Sequence, residues 1–325
     1  MSVDVSAITI KTHTERNGTL SRIAPQELVH KTSMDEVLLT DAVQVGADRV
    51  FLSVRRPAGH ELYHPDPAGE SDPTLFVEAL RQAAIYVSHR FYAVPLDHPF
   101  IFVGLDLDVP VPGATGTADA PLTLEVVITQ TVQRTSLRAG MRMEARLTAH
   151  DQLCAVGQVS WRAVHPSVYV RLREPNLDLH ESWTQPGEPG RLLRPGQVGR
   201  ERVADVLLAE DPGGVPAGSA VGTWQLHVDR SHPVHFDHPS DHVPGMLLLE
   251  AFRQAARAMA GPGPWALAEA HTTFAAYCEL TAPVTIVARR PAVSTAADGR
   301  ESEVEAVQFG RTVASARMRW SRGPA

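Results

Sequence analysis

Hydrophobic residues along the chain fall into two patterns, and each pattern occurs twice. Residues 75–84 and 247–256 are apolar almost all round a helical wheel, so each predicts a helix buried on every side. The two helices share the core Glu-Ala-x-Arg-Gln-Ala-Ala, which sets Glu78, Arg81 and Gln82 against Glu250, Arg253 and Gln254. At spacings i, i+3 and i+4 these three polar side chains lie on one side of each helix. The second pattern is strand-like alternation with β-branched residues. It covers residues 122–129, 142–148 and 155–161 after the first helix, and 273–279, 284–288, 303–308 and 312–320 after the second.

Other anchors repeat in the same order. Val29-His30-Lys31 with Glu36-Val37-Leu38-Leu39 matches Val198-Gly199-Arg200 with Asp205-Val206-Leu207-Leu208, and Trp161 matches Trp320 at the end of a strand-like run. A repeat this long is a duplicated domain of about 150 residues, not a solenoid unit. The boundaries read as an N-terminal domain over 1–174, a Pro-, Gly- and charge-rich connection over 175–196, and a C-terminal domain over 197–325. One helix followed by several antiparallel strands predicts an α+β fold in each half, the helix packed on one sheet face.

Bulk composition narrows the function. With 325 residues and 43% hydrophobic content the chain can bury two cores unaided. A net charge of −7 argues against nucleic acid as a partner. Cys154 and Cys278 stand at different places in their repeats and read as core thiols. Residues 1–14 lack the order of a signal peptide and no apolar run reaches membrane length, which predicts a cytoplasmic protein.

The chemistry concentrates before the second helix. His235-Phe236, then Pro244-Gly245, then Glu250 resembles the motif of hydroxyacyl-carrier-protein dehydratases of the hotdog fold, with a slightly longer loop. The fuller pattern adds Asp237, His238, Asp241, His242, the upstream Val29-His30-Lys31 and the second Glu-Ala-x-Arg-Gln helix. It resembles the A-factor biosynthesis (AfsA/ScbA-type) proteins of actinomycetes over nearly the whole chain, residues 29–320. The resemblance implies two tandem hotdog domains, each a long central helix wrapped by a curved antiparallel sheet, forming an intrachain pseudo-dimer. It further implies an acyltransferase that condenses a β-ketoacyl group from acyl carrier protein with dihydroxyacetone phosphate, on the way to a γ-butyrolactone, butenolide or furan signal.

The residues suit acyl transfer. Backbone amides at the Gly245 helix start can polarise a carbonyl. Glu250 can serve as base or orient a histidine such as His235, and arginine matches phosphate oxygens in a two-pronged way. The candidate catalytic residues are therefore Glu250, Arg253, Gly245 and His235. Candidates for substrate contact are Glu78, Arg81, Gln82, Gln254, Asp237, His238, His242 and Lys31. One principal site is expected around the second helix, with Glu78 and Arg81 completing it or serving a degenerate one. No Gly-x-Ser-x-Gly elbow is present and neither cysteine lies near the helix start, which predicts direct transfer without an acyl-enzyme. The spacing of His232, His235, His238 and His242 matches no metal motif, so neither metal nor cofactor is expected. A dehydratase or thioesterase, or a non-catalytic acyl-binding module, are the alternatives that the fold alone allows.

Overall fold

The computed structural model describes residues 22–57, 59–63, 73–110, 121–135, 138–180, 190–211, 220–291 and 300–322, with backbone only at 132–135, 138, 139 and 175–180. Six strands of the first half are β1 (Leu39–Gln44), β2 (Arg49–Val54), β3 (Phe100–Asp108), β4 (Leu122–Thr135), β5 (Arg138–Ala149) and β6 (Gln152–Val164). Six of the second are β7 (Leu208–Glu210), β8 (Val221–Leu226), β9 (Trp265–Phe274), β10 (Thr285–Arg289), β11 (Arg300–Gln308) and β12 (Arg311–Arg322). Helix α1 (Pro73–Tyr92) lies in the first half, α3 (Gly245–Ala260) in the second, and α2 (Pro166–His180) follows β6.

The described strands form one sheet in the order β1-β2-β4-β5-β6-β3-β9-β12-β11-β10-β8-β7. Read from its two ends inward, the order is the same in both halves. The halves meet where β3 pairs antiparallel with β9, from Gly104 opposite Thr273 to Asp108 opposite Glu269. This is the tandem hotdog pseudo-dimer expected from the sequence.

Alternation explains the strands. In β5, Met141, Met143, Ala145, Leu147 and Ala149 are buried while Arg142, Glu144 and Arg146 between them are exposed. Helix α1 seats on the concave face because β6 offers a glycine. A Cβ at Gly157 would come within 2.8 Å of Leu80 and 3.0 Å of Phe76. Cys154 and Cys278 are both buried free thiols.

Two expectations need correction. The strand expected at 273–279 is β9, Trp265–Phe274. It is alanine-rich and hydrogen-bonded to a neighbour on each side, so it lacks the β-branched signature that marks the other strands. The connection expected over 175–196 opens in helix, because α2 continues through residues 175–180. Pro166 occupies the first helical position, where the missing N–H costs nothing. Arg173 then anchors the helix by ion pairs to Asp241 and Glu279, and the Tyr169 hydroxyl donates to Asp241 Oδ1 at 2.8 Å. Among the described residues no helix is long and apolar enough to cross a membrane.

Candidate active site

Each central helix buries one glutamate and surrounds it with cations. In the second half, Glu250 receives two hydrogen bonds from Arg200 (2.8 and 2.7 Å) and two from Arg253 (2.7 and 2.8 Å). The Gln254 amide adds a fifth at 2.7 Å. In the first half, Glu78 receives two bonds from Arg81, both 2.8 Å, and one from Gln82 at 2.8 Å, while the Lys31 ammonium lies 3.1 Å away. Burial alone would raise both carboxyls. The guanidinium of Arg81 with Lys31, and those of Arg200 and Arg253, outweigh it and hold Glu78 and Glu250 well below the usual carboxylate range.

The glutamines are the tie between helix and sheet edge. Gln82 donates to the Glu36 carbonyl at 2.8 Å and accepts from the Leu38 amide at 2.9 Å. Gln254 does the same with the Asp205 carbonyl (2.7 Å) and the Leu207 amide (2.8 Å). A second carboxylate then meets a histidine in each half. His60 accepts from the Leu62 and Tyr63 amides through Nδ1, so its Nε2 carries the proton and donates to Glu36 at 3.1 Å. By the same logic His232 donates to Asp205 at 3.3 Å. Burial would raise Asp205, but the bonds from His232 and Arg202 prevail and hold it at about 2.

Both clusters straddle the halves. Asp237, from the second half, accepts the Thr32 and Ser33 amides of the first at 2.7 and 2.8 Å. His238 follows it with its side chain half exposed. Burial lowers His238, and the charges of Arg81 and Lys31 lower it further. In the other direction, Arg200 donates to the Leu62 carbonyl at 3.0 Å and Arg202 pairs with Glu61 at 3.1 Å.

The two clusters then diverge. The first cluster is the less tightly sealed: Lys31 keeps 5% of its side chain exposed against 2% for its counterpart Arg200, and Arg81 13% against 8% for Arg253. Above Arg81 lie His30 and His89, whose Nε2 atoms are 2.9 Å apart. Their places in the second half are held by Gly199 and Gly261. Arg257 fills that space, lying 3.3 Å from where a Gly199 Cβ would stand and donating to the Gly261 carbonyl at 2.6 Å.

The structure therefore joins Lys31, Glu78, Arg81 and Gln82 with Asp237 and His238 in one cluster, and Glu250, Arg253 and Gln254 in another. Glu78 and Arg81 do not complete the Glu250 site, as the sequence left open; they make their own. Asp237 spends both carboxylate oxygens on backbone amides, which makes it the anchor of its loop. His235 packs at 4.4 Å from His232 with its Nε2 buried and unpaired, and burial followed by the His232 charge lowers it to about 3. His242 belongs to neither cluster. It bonds Asp241 at 2.7 Å beside Tyr169 of α2. Gly245 opens α3 against the Phe274 ring. The Pro244 carbonyl takes the Leu247 and Leu248 amides, which leaves those of Gly245 and Met246 to meet a ligand.

His30, Glu36, His60, Asp205 and His232 were not among the sequence candidates for catalysis or substrate contact. The matched anchors of the repeat contain three of these five, and that was their available signal. Among the described residues no group of three or more His, Cys, Asp and Glu is arranged to hold a metal ion.

Comparison with known proteins adds the family. The model of the A-factor biosynthesis hotdog domain matches residues 12–165 and again 184–322. A 2-oxo-3-(phosphooxy)propyl 3-oxoalkanoate synthase of Streptomyces virginiae is 35% identical over 270 residues, covering 83% of this chain and 88% of that protein. One of the same description from Streptomyces coelicolor is 34% identical over 267 residues, covering 81% of each. Among solved structures, a protein described as an oleoyl thioesterase from Lactobacillus plantarum superposes with a TM-score of 0.51 at 14% identity, over 86% of this chain and 99% of that one. A TesB protein of Mycobacterium avium subspecies paratuberculosis gives 0.50 at 15% identity, over 87% and 96%. At that identity the likeness concerns fold alone.

Proposed function

The chain belongs to the A-factor biosynthesis hotdog family, and we propose that it transfers a 3-oxoacyl group from an acyl-carrier-protein thioester to a hydroxyl of dihydroxyacetone phosphate. The acceptor oxygen bonds to the thioester carbonyl carbon, the C–S bond breaks, and the hydroxyl proton ends on the departing thiol. The product is a 2-oxo-3-(phosphooxy)propyl 3-oxoalkanoate, the compound for which the curated relatives are named.

One observation carries the placement of the site: Lys31 and Arg81 are held side by side by Glu78 beneath the half-exposed His238 of the other half. Two fixed, largely buried cations suit a phosphate dianion, which arginine can grip through paired N–H donors. Glu78 holds those cations in place. Its own depressed carboxyl makes it a poor proton acceptor, and the same holds for Glu250, which therefore serves as counter-ion and not as base. The free amides of Gly245 and Met246, at the positive end of α3, are the donors assigned to the thioester carbonyl oxygen. The reaction runs in a ternary complex with no acyl-enzyme, the two free cysteines being buried.

The test is incubation of the protein with 3-oxoacyl acyl carrier protein and dihydroxyacetone phosphate, followed by mass spectrometry. The phosphorylated ester or its cyclised butenolide should appear only with both substrates. Thiol release without the acceptor would instead assign a thioesterase, loss of water a dehydratase, and binding with no turnover an acyl-binding module. An acyl adduct on intact protein would overturn direct transfer.

A further inference from the structure

The proposed transfer needs a group to take the hydroxyl proton, and neither glutamate is suited to it. We infer that His30 is that group, with His89 as the residue that positions it; the inference rests on the reaction proposed above.

The hydrogen bonds fix both tautomers. His89 Nδ1 lies 2.7 Å from the Val94 carbonyl oxygen, which can only accept, so His89 carries its proton on Nδ1 and presents a lone pair at Nε2. His30 Nε2 is 2.9 Å from that lone pair and must therefore donate to it. This puts the lone pair of His30 on Nδ1, which has no hydrogen-bond partner among the described residues. Phe100 packs edge-on against both rings, at 5.3 Å from His30 and 5.2 Å from His89, and holds the pair in register.

Position and backbone agree with this use. His30 adjoins Lys31 in the chain and is close enough to Arg81 and His238 to feel their charge. Its φ of 52° lies in the left-handed region that a histidine enters at a cost. The corresponding residue of the second half is Gly199, with φ 68°, for which that conformation is free. His89 and Gly261 likewise stand the same distance along the chain after Glu78 and Glu250. The histidine pair is thus confined to the cluster whose cations are the less tightly sealed.

Burial lowers His30 to about 4, and His89, Arg81 and His238 reinforce the shift. His89 is lowered as well, by burial in spite of its bond to Val94 and then by His98. Both rings are therefore neutral at pH 7, and Nδ1 is free to accept a proton. A phosphate dianion on Lys31 and Arg81 would offset the cationic share of that shift and raise the basicity of His30 when the acceptor binds. In the step itself, the acceptor O–H gives its proton to Nδ1 while its oxygen bonds to the carbonyl carbon. The imidazolium, with Nε2–H still held by His89, then returns the proton to the leaving thiolate. His238 is the competing histidine, but no bond fixes its tautomer.

The variant His30→Gly tests this with little risk to folding, because glycine is what the second half carries at this left-handed position. It should lower kcat for ester formation by about 10²- to 10⁴-fold, with KM for dihydroxyacetone phosphate changed less than threefold. Added imidazole should restore part of the rate. His89→Phe should lower kcat and His89→Gln, whose amide oxygen can accept the same bond, should recover part of it. A folded His30→Gly protein within threefold of the parent rate overturns the inference. So does a loss carried entirely by KM, which would make His30 a binding residue. If the unaltered protein forms no ester at all, the proposed reaction fails first, and that arm separates the two failures.

Discussion

Around Glu78 the chain keeps a lysine, a histidine pair and one arginine; around Glu250, in the same fold, it keeps three arginines and two glycines. The shared parts are the helix glutamate, the arginine one turn on, the glutamine that ties helix to sheet edge, and a histidine bonded to a second carboxylate. These are the parts that any buried charge needs to be tolerated. The parts that differ are those that decide whether a proton can move and whether an anion can enter. A duplicated domain can keep a polar cluster in both copies for structural reasons and refit one of them for chemistry. Retention of Glu-x-x-Arg-Gln in both copies is thus no guide to which copy reacts.

The largest effect should come from taking the counter-ion out of the sealed cluster. Glu250→Ala leaves Arg200 and Arg253 buried with no carboxylate between them, which costs about 3–5 kcal/mol. Denaturant unfolding should read this as a fall in midpoint with the slope preserved. Glu78→Ala, in the less tightly sealed cluster, should cost less stability and more activity. Equal stability losses from the two variants would erase the contrast.

Acid sensitivity sharpens it next. His30 and His235 have folded pKa values lowered to about 4 and about 3, against about 6.5 when unfolded. Between those limits the unfolded chain binds more protons, so each group's stability is full above about pH 6.5 and is lost as pH falls toward the folded value. Each contributes a slope of up to about 1.4 kcal/mol per pH unit in that window. Melting temperature should therefore fall between pH 6.5 and 4.5, and His235→Phe should remove a measurable part of the fall, the rest remaining with His30, His89 and His238. The same variant should leave turnover within about threefold, because His235 packs behind the second cluster. A collapse of turnover in His235→Phe would return the chemistry to the second half.

The smallest effect concerns the glycine that replaces His30. Gly199→Ala places a Cβ at a left-handed residue 3.3 Å from Arg253 and Arg257, and should cost about 1–2 kcal/mol without altering KM for the acceptor. A shift in KM would show that the second cluster binds substrate too.

Much of the fold was legible in the repeat. The paired helices and the antiparallel strands after them follow from periodicity and from the doubled Glu-Ala-x-Arg-Gln, while the hotdog arrangement was what the family resemblance implied. β9 was misplaced because a strand paired on both edges can be built from alanine, and α2 went unseen because Pro175 reads as a break when the Arg173 anchors are out of view. At the site, Glu78, Arg81 and Lys31 were visible as charges on apolar elements. The joining of these three with Asp237 and His238, apart from Glu250 and Arg253, was not, because residues 32–33 and 237 meet only when the two halves close on each other. His30 was hidden differently. Its repeat partner is a glycine, and only the positive φ shared by the two explains why those residue types alternate at that place.

The central claim is that substrate reacts at the first-half cluster, and the paired variants Arg81→Gln and Arg253→Gln test it most directly. Each would be checked for folding by circular dichroism and then assayed for phosphorylated ester from 3-oxoacyl carrier protein and dihydroxyacetone phosphate, per folded molecule. Loss of at least a hundredfold (about 2.7 kcal/mol of transition-state stabilisation) in Arg81→Gln, with Arg253→Gln keeping about a third of the rate or more, is the predicted result. The reverse order, with Arg253→Gln inactive and Arg81→Gln near normal, would contradict it.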